Sequence, residues 1–583
     1  MLTLVRGLQS AEPPYDTDAR TSSVEVLLRS LIGECRRLVA AVVVVFCAVV
    51  FVNGAPRAEP RAPKRDALLQ SPAARSLRVI VTTRPGAASR VEKKLRNRGR
   101  RVSSRFALLD AVAARVRVED LAYLEADPDV IHISTDSRVI GHAVANEAAT
   151  AAASSFTAAL GLAGSPWTGK GVGIAVIDSG LKRNGDFTRL DFYDFTARAR
   201  DADDEYGHGT HISGLIGSKG ALSKGAYAGV APESRIVSLR VLDSRGQGFT
   251  SDVIAAIEFA VMNRQALGVD VLNLSLGHPI FEPAATDPLV RAVEAAVEAG
   301  IVVVVSAGNV GRSIENGLPG YAGILSPANA PSAITVGALD TMHTARFEDD
   351  FVAAYSSRGP TWYDGHAKPD LVAPGHNLVS DAAIGSTLYS RHPERQVAAA
   401  SGPARFFRMS GTSMAAGVTS GIAALVIEAG RSVTGSAPTP DTVKQILAYS
   451  ALPLTGVDRL TQGHGAVNAA GALDVMLAVA SAGAPVEDAT SPIIRATTIE
   501  GVSWPWNQTT VLDQAMVWGN VELWASAVVW GSAMVWGNDD AMVWGNLDDA
   551  MVWGNDEDAM VWGNDDAMVW GNTGVWGNTD DSR

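Results

Sequence analysis

The chain has 583 residues, 47% of them hydrophobic and 19% charged, which is the composition of a soluble globular protein long enough for several domains. Its net charge of -13 sits almost wholly at one end. Asp513 to Arg583 carries thirteen Asp and Glu against one Arg, a net of -12, so the first 512 residues are close to neutral and no broad basic surface for nucleic acid is implied. The two cysteines, Cys35 and Cys47, both lie in the first fifty residues, which excludes a disulfide framework, a Cys-based zinc site or a cysteine nucleophile in the body of the chain.

Taken in chain order, Arg36-Arg37 precede the apolar run Leu38–Val52, fifteen residues that are short for a membrane span and suit a signal-peptide core. Cleavage is expected near Gly54 or Ala55. The long stretch ahead of the run keeps a single-pass anchor as the alternative, so residues 1–55 are a signal peptide or an anchor. Residues 56–76, rich in Pro, Ala and Arg, read as a linker. From Leu77, "LRVIVTT" reads as a strand and "GAASRVEKKLRNRG" as a basic helix with Val91 and Leu95 four apart. "FALLDAVAARV" reads as a second strand, "EDLAYLEADPDV" as a helix and "VIHISTDSRV" as a last strand. The expected product is a small α+β unit over residues 77–142.

Residues 155–480 form the next expected domain. Here "GVGIAVIDSG", "SRIVSLRVLD", "VDVLNLSLG" and "AGIVVVVSAGN" are continuous apolar runs, suited to strands buried on both faces of a parallel sheet. Helical patterns such as "SDVIAAIEFAVMNRQAL" and "DPLVRAVEAAVEAG" alternate with them. Residues 481–512 read as a linker and 513–583 as an acidic, Trp-rich tail. "AMVWGN" occurs six times in that tail, and eleven of the thirteen tryptophans lie beyond residue 500. A-M-V-W alternates like a very short strand and G-N-D-D reads as a turn, while the uneven Trp spacing argues against a strict solenoid. A solvated acidic extension and a stacked adhesive surface both stay open.

In open α/β sheets chemistry gathers at the carboxyl ends of the strands. Asp178 ends "IAVID". His208 and His211 lie three apart in "EYGHGTHISGLIG"; that spacing allows a metal pair, with Asp203, Asp204 or Glu205 as oxygen ligands, or a single catalytic base. The Glu that a zinc peptidase would carry between its histidines is missing. Asn309 ends "VVVVSAGN", where an amide could donate to an oxyanion. Ser413 opens an Ala-rich apolar helix after Gly411 and Thr412; it is a cap on its own, and a nucleophile if an oriented imidazole can take its proton.

The order Asp-Ser-Gly, His-Gly-Thr-His, Asn-Leu-Ser-Leu-Gly, Ala-Gly-Asn and Gly-Thr-Ser-Met-Ala, from Thr168 to Leu473, resembles the subtilisin-like serine peptidases. "SSRGP", "KPDLVAPG" and "GHGAVNAAGAL" match further family segments. The resemblance implies a parallel α/β sheet flanked by helices, preceded by a ferredoxin-like inhibitory propeptide over residues 77–142; the apolar run at Leu38–Val52 adds export, and the Trp-rich tail adds attachment at the cell surface as an alternative. It implies Asp178 orienting His208, His208 as general base and acid, Ser413 as nucleophile, and Asn309 with the Ser413 backbone N–H holding the oxyanion. His211 becomes a packing residue. Ser275, Leu276 and Gly277 would pair with substrate, Ala307 and Gly308 would form a pocket wall, and Val310 and Leu325 would line the first subsite. The implied partners are peptide substrates and the chain's own propeptide, with no cofactor or catalytic metal. Structural calcium is left open, but the loop Gly217–Gly229 lacks the amide and acidic residues of the family's calcium loop. Gly417 and Val418 depart from the family's Pro and His in the serine helix, which implies retained activity with a less rigid helix start. The competing class is a surface adhesin whose peptidase domain serves only maturation.

Overall fold

The computed structural model describes residues 64–72, 74–141, 160–162, 164–196, 203–312, 317–344, 346–398, 403–482, 496–499 and 502–507, with seven short strands between 528 and 575. The apolar run Leu38–Val52, both cysteines and His142 lie outside the described residues.

The N-terminal unit contains β1 (Ser76–Thr83), α1 (Ala88–Asn97), β2 (Arg101–Phe106), β3 (Ala111–Arg117), α2 (Glu119–Ala126), β4 (Val130–Thr135) and β5 (Arg138–Gly141). The first four strands form one sheet in the order β2-β3-β1-β4, antiparallel at every pairing. Two of the expected strands divide. "FALLDAVAARV" begins at the end of β2 and turns at Asp110, whose φ is +48°, before β3. β2 reads as polar because only Val102 and Phe106 of its residues are buried. "VIHISTDSRV" breaks at Asp136-Ser137, and β5 leaves the sheet altogether.

Strand alternation gives this sheet two different cores. Val79 and Val81 pack with Val91, Leu95, Leu121 and Leu124 of the unit's own helices. Ile80, Phe106, Ala111 and Ala113 on the other face join the core built by Ile254, Ile257 and Val293 of the following domain.

That domain is an eight-stranded sheet. Its main path runs β15 (Phe351–Val352), β14 (Ile334–Asp340), β12 (Val302–Ser306), β10 (Val269–Leu274), β6 (Gly173–Asp178), β8 (Arg235–Arg240) and β7 (Arg189–Asp194), with β16 (Leu371–Pro374) also on β14. All pairings are parallel except β14–β15. Every residue of β6 and β12 is buried, as continuous apolar strands covered on both faces require. The helices that position the site are α3 (His208–Gly217), α4 (Thr250–Met262), α5 (Pro288–Glu298), α6 (Thr387–Arg391) and α7 (Thr412–Thr434). Among the described residues α7 alone is long and apolar enough to cross a membrane; an 18-residue stretch of it is 94% buried, and the helix packs in the core.

Part of the expected linker belongs to this body. β20 (Ala496–Ile499) and β21 (Val502–Pro505) form a hairpin, followed by Trp506, which is 3% exposed. Its indole donates to Thr497 Oγ1 at 2.8 Å, and the Asn507 N–H donates to the Ala451 carbonyl at 2.8 Å. In the tail, strands from alternate repeats pair parallel and in register, Met542 with Met560 and Met551 with Met568.

Candidate active site

Asp178 ends β6 in the middle of the sheet, between β10 and β8. Its Oδ1 accepts the Ser179 N–H at 2.7 Å, and its two carboxylate oxygens stand 2.8 and 2.9 Å from His208 Nδ1. Asp178 and His208 are 1% and 0% exposed. Burial by itself would push the imidazole down; attraction and hydrogen bonding from Asp178, aided by Asp204, hold it above its ordinary value. His208 Nε2 is buried and has no hydrogen-bond partner among the described residues.

His208 is the first residue of α3, and the helix start is fixed by Asp204. One carboxylate oxygen of Asp204 accepts from the Gly207 N–H (2.7 Å) and Ser179 Oγ (2.8 Å); the other accepts from the Thr210 N–H (2.8 Å) and Thr210 Oγ1 (2.7 Å). Ser179 Oγ in turn accepts the Gly209 N–H at 2.9 Å. Asp204 therefore locks the Asp178 strand end to the His208 helix start. The sequence reading weighed it only as a metal ligand, although an Asp just ahead of a helix start is itself a capping signal. His211 lies on the buried side of α3, with Nε2 3.1 Å from both the Leu378 and Phe407 carbonyls. Burial first, together with His208, pushes its pKa down to about 3, so it stays neutral and packs.

Ser413 lies in the first turn of α7, after Gly411 at φ +153°. Its hydroxyl donates to the Ser275 carbonyl at 3.2 Å, so the structure records a bond to the strand edge and none to the imidazole. Ser275 Oγ donates back to the Ser413 carbonyl at 3.1 Å. Asn309 is joined to the same turn. Its Oδ1 accepts from the Thr412 N–H (3.0 Å) and Thr412 Oγ1 (3.1 Å). A backbone N–H can only donate, which fixes the amide with Nδ2 turned away from Thr412.

Ser275 leads into β11 (Leu276–Gly277). β5 from the N-terminal unit lies between β11 and β9 (Gln247–Phe249), antiparallel to both, with Leu276 opposite Gly141 and Gly277 opposite Ile140. A Cβ on Gly141 would stand 3.5 Å from His208 Nδ1, so the end of β5 runs over the imidazole. The expected pocket residues also come together. The Leu325 N–H donates to the Ala307 carbonyl at 3.1 Å. Gly308, at φ +113°, leaves no room for a side chain against Leu325 and Ser357, and Val310 borders Gly323. Ser357, which lies in the segment "SSRGP" without an expected role, supports this wall by accepting the Val310 N–H at 3.2 Å. Gly417 and Val418 are buried in an unbroken α7. The loop Gly217–Gly229 is held by Asp186, whose Oδ1 accepts the Ala221 N–H at 2.8 Å.

Residues 169–472 match the model of the subtilase family (Peptidase S8). That match covers more than half of the chain and includes Asp178, His208, Asn309 and Ser413. The chain belongs to the subtilase family. It is a serine-type endopeptidase of the subtilisin-like kind. It is 38% identical over 313 residues to the serine protease AprX of Bacillus subtilis (strain 168), across 52% of this chain and 67% of that one. It is 33% identical over 353 residues to the extracellular serine proteinase of Thermus sp. (strain Rt41A), across 60% of this chain and 72% of that one. Among solved structures it is similar to fervidolysin from Fervidobacterium pennivorans, with a TM-score of 0.53 and 21% identity over 68% of this chain and 61% of that one. That likeness bears on the fold.

Proposed function

We propose that this subtilase is made as an exported, self-processing zymogen. Asp178 orients His208, and His208 takes the proton of Ser413 as the hydroxyl attacks the peptide carbonyl. Asn309 Nδ2 and the Ser413 N–H stabilise the oxyanion. Protonated His208 then gives its proton to the leaving amine, and the acyl-enzyme is hydrolysed by water. The buried imidazole with its Nε2 unpartnered suits a base waiting for that proton.

The observation that carries the zymogen reading is β5. It lies between β11 and β9, where a substrate strand would pair on this reading, with Gly141 over His208. Residues 77–142 act on this reading as a ferredoxin-like inhibitory propeptide whose last strand stays in the cleft until it is cut near His142. Asp136 of that unit also caps the peptidase helix α4, with Oδ1 accepting the Ser251 N–H at 2.8 Å. Val310 and Leu325 offer no charge, so the first subsite takes apolar or aromatic residues, since burying an unpaired cation is costly.

Ser413→Ala is expected to abolish peptide hydrolysis and self-processing together, lowering turnover by about a millionfold. Normal maturation of Ser413→Ala expressed alone would refute the assignment.

A further inference from the structure

Beside His208, a groove of about 400 Å³ is lined in part by Tyr206, Arg245, Gln247, Arg391, His392 and Arg395. Its walls come from both halves of the site. Tyr206 stands two residues before His208, with ring centroids 6.4 Å apart. Phe407 and Met409 belong to β19 (Ala404–Met409), the strand that runs into the Ser413 turn. The remaining wall is α6 and the residues after it. α6 is fastened to the chain ahead of His208: the Thr387 N–H donates to the Glu205 carbonyl at 2.8 Å and the Leu388 N–H to the Tyr206 carbonyl at 3.0 Å. Thr387 Oγ1 donates to the Ser244 carbonyl at 2.8 Å. The helix that ends at Arg391 is thus held to the chain ahead of the imidazole.

Three of the lining residues are arginines, Arg245, Arg391 and Arg395. Glu394 faces both His392 (3.1 Å) and Arg395 (3.6 Å). Arg245 reaches Asp243 only at 3.5 Å, and its side chain is 70% exposed. Glu205, the other nearby carboxylate, is turned to Arg240 at 3.1 Å. No ion pair or hydrogen bond of the Arg391 side chain is recorded among the described residues. Arg391 is thus without a carboxylate partner among the described residues, while Arg245 and Arg395 lie near Asp243 and Glu394. β5 supplies no acid: it reads Arg-Val-Ile-Gly, Arg138 donates to Gln247 Oε1 at 3.0 Å, and the Gly141 N–H donates to the Gly246 carbonyl at 3.2 Å.

We infer that this arginine-lined groove selects an acidic side chain, Asp or Glu, carried by the polypeptide substrate within a few residues of the bond to be cut. The inference rests on His208 being the catalytic base. A guanidinium and a carboxylate form charge-assisted, geometrically specific pairs, and a partly walled groove beside the reacting bond strengthens them over open solvent. The selectivity is additional to the apolar first subsite, because the two sets of residues are distinct.

The test is a set of internally quenched peptides with a fixed apolar residue before the scissile bond. A single Asp is moved through three positions on each side, and every Asp peptide is matched by its Asn counterpart. The reading is the Asp-to-Asn ratio of kcat/KM for the mature enzyme, Arg391→Gln, and the double variant Arg391→Gln/Arg395→Gln. The wild type should show one position with a ratio of about three to ten, shrinking as salt is added. The ratio should fall in Arg391→Gln and approach one in the double variant, with the Asn peptides serving as the reference for folding in each protein. A ratio of one at every position, or a preference that survives in the double variant, overturns the inference. Failure to cut any peptide at all would instead refute the catalytic assignment beneath it.

Discussion

The sheet of β1 to β4 and the sheet around β6 solve burial in opposite ways. In the body, β6 and β12 are covered on both faces by the body's own helices. The N-terminal sheet completes only one face for itself, with Val79 and Val81 against α1 and α2. Its other face, with Ile80 and Phe106, is finished by Ile254 and Ile257 of the body. The polar contacts divide the same way. Asp178, Asp204, Ser179 and Thr210 form a closed net inside the body. The N-terminal unit is fastened by bonds across the boundary, Asp136 to Ser251 and the Leu108 N–H to Glu258 Oε1 at 2.8 Å, and His132 Nε2 stands 2.6 Å from Glu282 Oε2. On the proposed zymogen reading a catalytic centre has to hold its geometry through every turnover, whereas an inhibitor has to leave, and the difference in fastening suits that division.

The comparison breaks hardest at Asp178. Asp178→Asn should lower kcat by about 10⁴-fold while the fold survives, because the imidazole loses its orienting acceptor. The pH dependence gives the sign. Asp178 holds the His208 pKa above its ordinary value against burial, and only neutral His208 can act as base. Without the carboxylate burial prevails, so the acid limb of the residual activity should move to lower pH. A limb that stays in place in the kcat/KM profile would mean that Asp178 does not govern this imidazole.

Asn309→Ala should be milder, costing about a hundred- to a thousandfold in kcat with KM little changed, since one oxyanion donor is removed. A folded, fully active variant would reduce Asn309 to a cap for Thr412. Across the boundary the effects should be smaller and of another kind. Asp136→Ala removes a helix cap worth about 1 kcal/mol. Activity should then emerge about fivefold faster after self-cleavage, with kcat of the mature enzyme unchanged. A slower release, or a lower kcat, would place Asp136 in the body's own architecture.

The smallest effect concerns the tail. A chain ending after Asn507 should keep its activity per mole, and the loss of the repeats should alter only its distribution between medium and cell surface. Ending near Ser491 removes Trp506, and losing so large a buried side chain typically costs about 3–5 kcal/mol. The melting temperature should therefore drop only for the shorter chain. Equal melting temperatures would return the hairpin to the linker.

How much of this was legible follows from where each partner sits. β6, β8, β10 and β12 read directly from their apolar runs, and Asp178, His208, Asn309 and Ser413 from short motifs at strand ends and helix starts. Asp204 was visible but was weighed for the wrong chemistry. Asp136 was not legible, because Ser251, whose N–H it caps, lies 115 residues later, and a cap supplied from another unit leaves no local pattern. The hairpin at residues 496–505 resembles a linker in composition. What buries Trp506 is the groove beside Tyr449 and Gly471, which exists only after folding. Arg391 and Arg395 form no motif in the sequence, and only the bonds of α6 to Glu205 and Tyr206 bring them near the site.

The central claim is that β5 is the chain's own substrate strand. The most direct test is the N-terminal sequence of protein recovered from wild type and Ser413→Ala, expressed side by side. The wild type should begin within a few residues after His142, while Ser413→Ala keeps residues 77–142 attached. A wild-type protein that starts before Leu77, or a Ser413→Ala protein cut at the same place as wild type, would contradict it.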